Sequence, residues 1–357
     1  MIGVGGIAHG KYLPALRDMP DVELVAFCDT DRARAAEAAV LHGAPGALVT
    51  DDWRAALAVE ADAAFVLTPN ATHAAVSIAA LESGKHVMCE KPMAITSADA
   101  AYMAAAAERS GKLLTIGYQN RFRPDFQYVK SLADEGALGR VYFARALAVR
   151  RRGVPTWGSF LSRDAQGGGP LIDLGTHVVD LALWLMDNHE PRTVLGACHR
   201  EIGLSGSPAN RWGNWDPADF TVEDAAFGMV QMADGATLLI ETSWALNTAY
   251  EADPALSLSG TRGGVDVWQD LRITEERAGK LVTTVPELGV GPEAQWQVAC
   301  RDNVRNFVGA IQGREPLVVT ARQALTVTRV LEAIYRSAEE GRAVHLNRDG
   351  AFAGASA

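Results

Sequence analysis

Short apolar stretches alternate with helix-like stretches up to residue 117, and this alternation constrains the fold more than any other feature of the sequence. Strands and helices alternating at this spacing are typical of an α/β fold with a doubly wound parallel sheet, which binds ligands beyond the carboxyl ends of its strands. The predicted strands span residues 22–29, 63–67, 86–89 and 113–117, and the predicted helices span residues 32–42, 72–83 and 96–110, with a short helix near Trp53.

A glycine-rich turn opens the chain. Gly3, Gly5 and Ala8 occupy the three fixed positions of a G-x-G-x-x-[G/A] pattern, together with Gly6 and Ile7. Between a strand and a helix, this turn lets the backbone approach a pyrophosphate, which binds at the positive end of the helix. Alone the pattern is a weak signal. Only two residues precede it, whereas a buried strand usually has about five, so we expect a poorly formed first strand or a truncated start.

An acidic residue, Asp29, ends the predicted strand that follows the turn. A carboxylate about 20 residues beyond such a turn accepts hydrogen bonds from the adenosine ribose hydroxyls. Because it would repel a 2′-phosphate, it favours NAD over NADP as the cofactor. Arg32 and Arg34 could reverse this preference, but we expect them to lie in the solvated first turn of the next helix.

Polar residues follow the later strands directly. Lys91 is the most informative, because a lysine between Glu90 and Pro92 at a strand end is fixed in direction and can exchange a proton. A surface Glu-Lys ion pair is the alternative, and the position near the glycine turn favours function. We also expect His73 to contact the cofactor, although a capping or packing role fits it as well. The remaining candidates are Thr68, Pro69, Asn70, Glu90 and Gln119 for the cofactor, and Tyr118 and Arg121 for the substrate.

The apolar stretch at residues 167–184 is interrupted by Asp173, His177 and Asp180. With about 3.6 residues per turn, Asp173 and His177 lie on one face of a helix. A carboxylate beside an imidazole, the side chain that changes charge nearest neutral pH, is typical of a general base. A buried pair that only fixes helix packing is the alternative. The glycines at 167–169 suit the close approach of a ligand or of another backbone.

The length of 357 residues favours two domains. We expect residues 1–120 to bind the dinucleotide and residues 121–357 to bind the substrate and form the oligomer. The net charge of −10 argues against nucleic acid and membrane partners, and the four cysteines lack the spacing of a zinc site. The sequence shows no signal peptide and no apolar run of about 18 residues, so we expect a cytoplasmic protein without a metal.

Consecutive strands follow residue 121, at residues 141–152, 193–198, 225–232, 236–245 and 255–258, before helices at residues 303–311 and 321–340. They predict a sheet with one covered face, and we expect the other face to form a homodimer or homotetramer. Arg150 and Arg152 share a face of the first of these strands and either line a sugar site or lie in solvent. Trp157, in a loop, either stacks on a sugar ring or packs.

Five motifs, GxGGxA, Asp29, TPNATH, EKP and DxGxHxxD, resemble those of the glucose-fructose oxidoreductase, inositol dehydrogenase and MocA family over essentially the whole chain. The resemblance implies a Rossmann domain followed by an α+β domain with a large, mostly antiparallel open sheet, and activity on sugars or cyclitols with a nicotinamide cofactor. Carried over by position, it implies that Lys91, Asp173 and His177 surround the reacting carbon. The short first strand departs from the family pattern and puts the packing of that strand in doubt.

These features predict an NAD-dependent dehydrogenase of a sugar or cyclitol. In this hypothesis His177 takes the hydroxyl proton, Asp173 orients its imidazole, and Lys91 stabilises the carbonyl oxygen. One alternative is a glycosidase or lyase that oxidises and re-reduces its substrate with a retained NAD. Another is a binding protein that senses the cofactor without chemistry, and the presence of all three residues disfavours it.

Overall fold

The computed structural model describes residues 1–348 and 350–353, except for the side chains of Pro292 and Glu293. The chain folds as two compact units. The first comprises Met1–Ala94, Ala98–Pro124 and Val290–Leu325, and the second comprises Ile95–Ser97, Asp125–Gly289 and the chain from Thr326 onward.

Fourteen strands are formed by the described residues: β1 (Ala26–Cys28), β2 (Leu48–Thr50), β3 (Ala63–Val66), β4 (His86–Cys89), β5 (Leu114–Ile116), β6 (Val141–Val149), β7 (Pro191–His199), β8 (Ala225–Met232), β9 (Thr237–Ser243), β10 (Ala252–Gly260), β11 (Gly263–Val267), β12 (Leu271–Arg277), β13 (Lys280–Thr284) and β14 (Val344–His345). The α-helices are α1 (Leu13–Arg17), α2 (Arg32–His42), α3 (Trp53–Leu57), α4 (His73–Glu82), α5 (Ser97–Ser110), α6 (Pro124–Asp134), α7 (Arg163–Gln166), α8 (Thr176–Leu185), α9 (Pro292–Ile311) and α10 (Ala321–Glu340). Two π-helical segments, Ala8–Tyr12 and Leu171–Gly175, directly precede α1 and α8, and short 3₁₀ helices span Asn70–Thr72, Gln119–Phe122 and Pro217–Asp219.

The first unit contains the predicted parallel sheet. β1 pairs with β2, and β3, β4 and β5 pair in that order, all in parallel. Ile2 joins the two groups by bridging to Cys28 and to Val66. The first strand is therefore reduced to a bridge, although Cys28 N–H donates to Met1 O at 2.9 Å and Leu67 N–H donates to Ile2 O at 2.8 Å. β1 is shorter than the predicted residues 22–29.

Residues 290–325 belong to the first unit, whereas the sequence analysis assigned them to the second domain. The reason is apolar packing by α9. The ring of Phe307 lies 5.6 Å from that of Phe65, which in turn lies 5.8 Å from the ring of Tyr12. Both contacts are edge-to-face, and all three rings are buried in one core cluster.

The second unit is built on a nine-stranded sheet in the order β13-β12-β11-β10-β6-β9-β8-β7-β14. The β6–β9 pair is parallel and the other neighbouring strands pair antiparallel, so the predicted mostly antiparallel sheet is confirmed. α8 packs its buried apolar residues on this sheet. β6 ends at Val149, before Arg150 and Arg152, so the prediction that these arginines share a strand face is wrong.

Candidate active site

Glycine is required at the start of the turn that follows Ile2. Gly3 has a φ of +86°, and an added Cβ would meet Leu67 O at 2.5 Å. A Cβ at Gly5 or Gly6 would meet nothing within 4 Å, so both positions border open space. The first-turn amides of the helix that begins here have no intrahelical acceptors. The turn can therefore present backbone N–H groups to a pyrophosphate.

The Asp29 carboxylate lies against the same turn. Its Oδ2 accepts a hydrogen bond from Val4 N–H, and its Oδ1 accepts one from Asp31 N–H, both at 2.9 Å. Arg34 pairs with Asp29 and with Asp31, each at 3.4 Å. A carboxylate has about four acceptor positions, and these contacts take three of them, so Asp29 retains capacity for one ribose hydroxyl. Together with Ala8, which is buried, and Ile7, which is 40% exposed, these residues fit an NAD molecule.

A buried ion pair fixes the end of β4. Glu90 Oε1 accepts hydrogen bonds from Lys11 Nζ and from the Tyr12 hydroxyl, both at 2.6 Å, and Lys11 also donates to Gln119 Oε1 at 3.0 Å. Burial alone raises the pKa of Glu90, but the Lys11 ammonium and the hydrogen bonds from Lys11 and Tyr12 outweigh it and lower the pKa to about 2. Glu90 Oε2 accepts from the Lys91 backbone N–H at 2.9 Å. The helix of the glycine turn is thus tied to the main chain of Lys91.

His73 braces the strand ends around Lys91. It is fully buried, and its Nδ1 and Nε2 each lie 2.8 Å from a carbonyl oxygen, that of Pro92 and that of Thr68 respectively. Burial lowers the pKa of His73, while the bonds to the two carbonyls act in the opposite direction. A main-chain carbonyl oxygen within 2.8 Å of each ring nitrogen favours the packing role, and the cofactor contact of His73 stays a prediction.

The other candidates of the first unit lie at strand ends. Thr68, Pro69 and Asn70 follow β3, and the Thr68 hydroxyl accepts a hydrogen bond from that of Thr72 at 2.8 Å. After β5, Tyr118 and Arg121 are fully buried. The Arg121 guanidinium donates to Val318 O and to Gln323 Oε1, both at 2.8 Å. These bonds hold the chain at residues 318–323 and favour a structural role for Arg121, and its substrate contact stays a prediction.

In the second unit, the glycines at 167–169 are packed against protein. A Cβ on Gly168 would meet the Tyr335 hydroxyl oxygen at 2.0 Å, and one on Gly169 would meet Glu223 O at 2.1 Å. Gly167, with a φ of +84°, ends α7. The sequence left two expectations open for these glycines, the close approach of a ligand or of another backbone. In the structure, other parts of the same chain approach them.

Glu223 anchors the segment that these glycines begin. Its Oε2 accepts from Gly169 N–H at 2.9 Å, and its Oε1 accepts from Leu171 N–H at 3.0 Å and from the Tyr335 hydroxyl at 2.8 Å. Burial raises the pKa of Glu223 despite these hydrogen bonds. A carboxylate at this place satisfies first-turn amides and interacts favourably with the helix dipole. Glu223 therefore fixes the N-terminal end of the helix that carries the predicted base.

Asp173 and His177 are half-buried on successive turns of that helix. Asp173 lies in the π-helical segment and His177 in α8, where Asp180 is fully buried. The indole Nε1–H of Trp244 donates to Asp173 Oδ2 at 3.0 Å. π-Helical turns inside helices occur frequently at functional sites. The carboxylate is thus held in place by a buried tryptophan from the end of β9.

Arg152 and Trp157 lie in the loops that follow β6. The Arg152 guanidinium donates to Arg151 O at 2.6 Å, to Leu246 O at 3.3 Å and to Asn247 Oδ1 at 2.7 Å. Arg152 therefore joins two loops, whereas the sequence analysis placed it on a sheet face. Trp157 is 51% exposed.

Four residues of these arrangements are not among those predicted from the sequence: Lys11, Tyr12, Glu223 and Trp244. Lys11 left a signal, because it is a charged residue at an otherwise apolar position of the cofactor helix. Glu223 stands beside Asp224 at the start of an apolar strand, which is a weaker signal. Nothing local distinguishes Trp244 from an ordinary core residue.

We expect Glu223→Gln to lower the free energy of unfolding by about 1–3 kcal/mol. The amide NH₂ would face a backbone donor, at Gly169 or at Leu171, and leave one buried group unsatisfied. Tyr335→Phe, which removes the hydroxyl that donates to Glu223, should cost about 0.5–1.5 kcal/mol. Denaturant unfolding of both variants measures the difference. Equal losses would show that Glu223 is not the anchor of the helix.

No helix in the described part of the chain is both long and apolar enough to span a bilayer. Within residues 1–348 and 350–353, no group of three or more His, Cys, Asp or Glu side chains is placed to hold a metal ion.

Comparison with known proteins identifies the family. Residues 1–118 match the model described as "Oxidoreductase family, NAD-binding Rossmann fold", and residues 126–266 match the "GFO/IDH/MocA C-terminal domain". D-glucoside 3-dehydrogenase of Escherichia coli strain K12 is 35% identical over 352 residues, which cover 97% of this chain and 96% of that protein.

Solved structures agree with this assignment. GenD2 from gentamicin A biosynthesis, in complex with NAD, is 29% identical with a TM-score of 0.75, covering 97% of this chain and 95% of its own. Aldose-aldose oxidoreductase from Caulobacter crescentus, complexed with glycerol, is 27% identical with a TM-score of 0.77, covering 97% of this chain and 98% of its own. The chain therefore belongs to the Gfo/Idh/MocA family and is an NAD-binding oxidoreductase.

Proposed function

We propose that this oxidoreductase removes hydride from a hydroxyl-bearing carbon of a sugar or cyclitol, with Lys91, Asp173 and His177 acting at that carbon. The observation that carries the proposal is the attachment of Lys91, through Glu90, to Lys11 on the helix of the cofactor turn. The names of two relatives, D-glucoside 3-dehydrogenase and aldose-aldose oxidoreductase, support a sugar as the substrate.

Each of the three residues has a role that its chemistry allows. NAD, when bound, supplies the acceptor for the hydride. In the proposed mechanism an imidazole nitrogen of His177 takes the hydroxyl proton, and the Lys91 ammonium stabilises the negative charge that develops on the oxygen. Asp173, held by Trp244, orients the imidazole.

The experiment that tests the proposal mixes the purified protein with NAD and a panel of sugars, glycosides and inositols. We expect NADH to accumulate, as seen by absorbance, with at least one of them. Product formed without NADH would instead indicate a retained cofactor that is re-reduced in each cycle. The absence of turnover with every compound, from a protein that binds NAD, would contradict the proposal.

We also propose that residues 3–8, Asp29, Thr68, Pro69, Asn70 and Gln119 line the cofactor site and that Asp29 selects NAD. NAD should then bind at least about tenfold more tightly than NADP, since a carboxylate facing the 2′-phosphate costs on the order of 1.4 kcal/mol or more. Asp29→Asn should narrow this ratio, and Asp31→Asn, at the neighbouring helix cap, should not. Fluorescence titration of both cofactors measures it. Equal binding of NADP to the unchanged protein would instead assign its phosphate to Arg32 and Arg34.

The proposed assembly is a homodimer or homotetramer formed through the outer face of the nine-stranded sheet. Leu195, Met229 and Leu239 lie directly opposite one another across β7, β8 and β9, and the first two are 47% and 44% exposed. A contiguous apolar row on a sheet face is typical of an interface. Light scattering of the purified protein reports the mass. We place the protein in the cytoplasm, in keeping with its four free thiols.

A further inference from the structure

Two exposed indoles meet in the second unit, and we call Trp157 and Trp212 the tryptophan pair. They are 51% and 37% exposed. Their ring centroids lie 5.1 Å apart and their planes are 88° apart, so the edge of one ring meets the face of the other. Large apolar side chains exposed side by side at the surface are typical of a binding site.

The loops that carry the tryptophan pair are fastened together. Asn210, which is 7% exposed, accepts from Val154 N–H at 2.9 Å and donates to Val154 O at 3.0 Å. The Thr156 hydroxyl donates to Trp212 O at 2.5 Å. The two indoles are therefore held in place before any ligand arrives, which lowers the entropic cost of binding.

A continuous row of aromatic rings connects the tryptophan pair to Asp173. The ring of Phe160 lies 5.7 Å from that of Trp157 and 6.2 Å from that of Trp244. Trp244 donates its indole N–H to Asp173. The pair thus lies two ring contacts beyond the ring that touches the carboxylate, a separation that suits a second sugar ring better than a single one.

The charges around Trp212 are balanced. The guanidinium carbons of Arg150 and Arg211 lie 5.5 Å and 5.6 Å from its ring centroid, but Arg150 pairs with Asp253 at 2.6 Å and Arg211 with Glu251 at 3.8 Å. A neutral ligand suits this surface better than an anion. A pyranose ring presents a face of C–H groups that carry a slight positive charge, which matches the negative face of an indole, and its hydroxyls can accept from guanidinium N–H groups.

We propose that the tryptophan pair binds a second pyranose ring, joined by a glycosidic bond to the ring that reacts at Asp173 and His177. The substrate class is then a disaccharide or a larger glycoside instead of a free monosaccharide. This inference rests on the proposed function. A protein partner is the other possible occupant, but two indoles between paired arginines form a small patch compared with the roughly 1,200 Å² of a stable interface.

The test compares kcat/KM for hexoses with kcat/KM for α-linked and β-linked disaccharides of the same hexoses. We expect the unchanged enzyme to prefer a disaccharide. The ratio of the two kcat/KM values should fall about fivefold in Trp212→Ala and further in the double variant Trp157→Ala/Trp212→Ala. Trp212→Phe should restore part of it. Trp296→Ala, which removes a tryptophan that is 46% exposed on α9, is the matched control and should keep the ratio.

Three results would overturn the inference: a ratio that the double variant leaves unchanged, an equal loss for hexoses and disaccharides, or a shift of the double variant to a smaller assembly in light scattering. If the unchanged protein oxidises no sugar, the proposed function fails separately. Calorimetric titration of the same sugar pairs then decides the inference. The inference requires that the original protein bind a disaccharide more tightly than its hexose and that Trp157→Ala/Trp212→Ala lose this difference in affinity. The inference is overturned if no sugar pair shows the difference in affinity.

Discussion

His177→Ala and Lys91→Ala are each expected to lower kcat by about 10²- to 10⁴-fold while leaving the Kd for NAD close to its original value. His177 is proposed to take the proton, and Lys91 to stabilise the charge that develops on the oxygen. Both contributions are made in the transition state, so the loss should appear in kcat and kcat/KM together. Steady-state kinetics and a fluorescence titration of NAD measure the two quantities.

The control variants remove a lysine or a histidine that lies outside the proposed site. Lys280→Ala, in the exposed β13, and His345→Ala, in β14, should retain full activity. Lys91→Arg is the sharper test of the lysine, because arginine keeps the charge but does not release its proton near neutral pH. Retained activity in that variant would limit Lys91 to an electrostatic role. A variant of His177 with near-normal kcat would remove it from the mechanism.

Lys11→Met should lower the free energy of unfolding of the first unit by about 3–5 kcal/mol, the largest effect on stability that we expect. Lys11 and Glu90 are 2% and 6% exposed, and their charged atoms lie 2.6 Å apart. Methionine fills much of the space of the lysine stem but leaves the Glu90 carboxylate buried without its ammonium. Denaturant unfolding at neutral pH measures the loss.

The double variant Lys11→Met/Glu90→Gln is the control, because it removes both charges. It should recover more than half of the lost stability, since removing a whole buried pair costs far less than removing one partner. If Lys11→Met were as stable as the original protein, the ion pair between Lys11 and Glu90 would not support the fold.

The pH dependence of stability should also distinguish the original protein from Lys11→Met. The pKa of Glu90 is lowered from 4.5 to about 2 in the folded chain. Its contribution to stability is therefore fully present above pH 4.5 and is lost as the pH falls toward 2. In Lys11→Met, burial is no longer opposed by the ammonium and raises the Glu90 pKa instead. The stability difference between the two proteins should narrow as the pH is lowered.

Local patterns predicted most of the fold. β4 and β8 have the predicted bounds, and α2 and α10 begin and end where their sequence periodicity indicates. Such elements are recognisable because apolar spacing and stop signals lie within the segment itself. β6 was predicted too long, to residue 152: the chain bends at Arg151, and Arg152 forms only an isolated antiparallel bridge to Ala245.

Contacts between residues far apart in sequence were the part that could not be predicted. Glu223 bonds to Gly169 and Leu171 from more than 50 residues away, and Lys11 reaches Glu90 across 79 positions. The periodicity of apolar residues within a segment does not predict such pairs. Gly168 and Gly169 show the consequence: their sequence indicates a close approach, but only the fold shows that Tyr335 and Glu223 make it.

The central claim is that hydride leaves a carbon of the sugar for the cofactor, and isotope transfer tests it most directly. The protein would be mixed with NAD and a sugar that carries deuterium on every carbon, and the nicotinamide would be analysed by mass spectrometry. The account predicts one deuterium in each NADH formed, and labelled NADH that accumulates at least about 10²-fold more slowly with His177→Ala at the same enzyme concentration. Turnover of the sugar that leaves NADH without deuterium would contradict it.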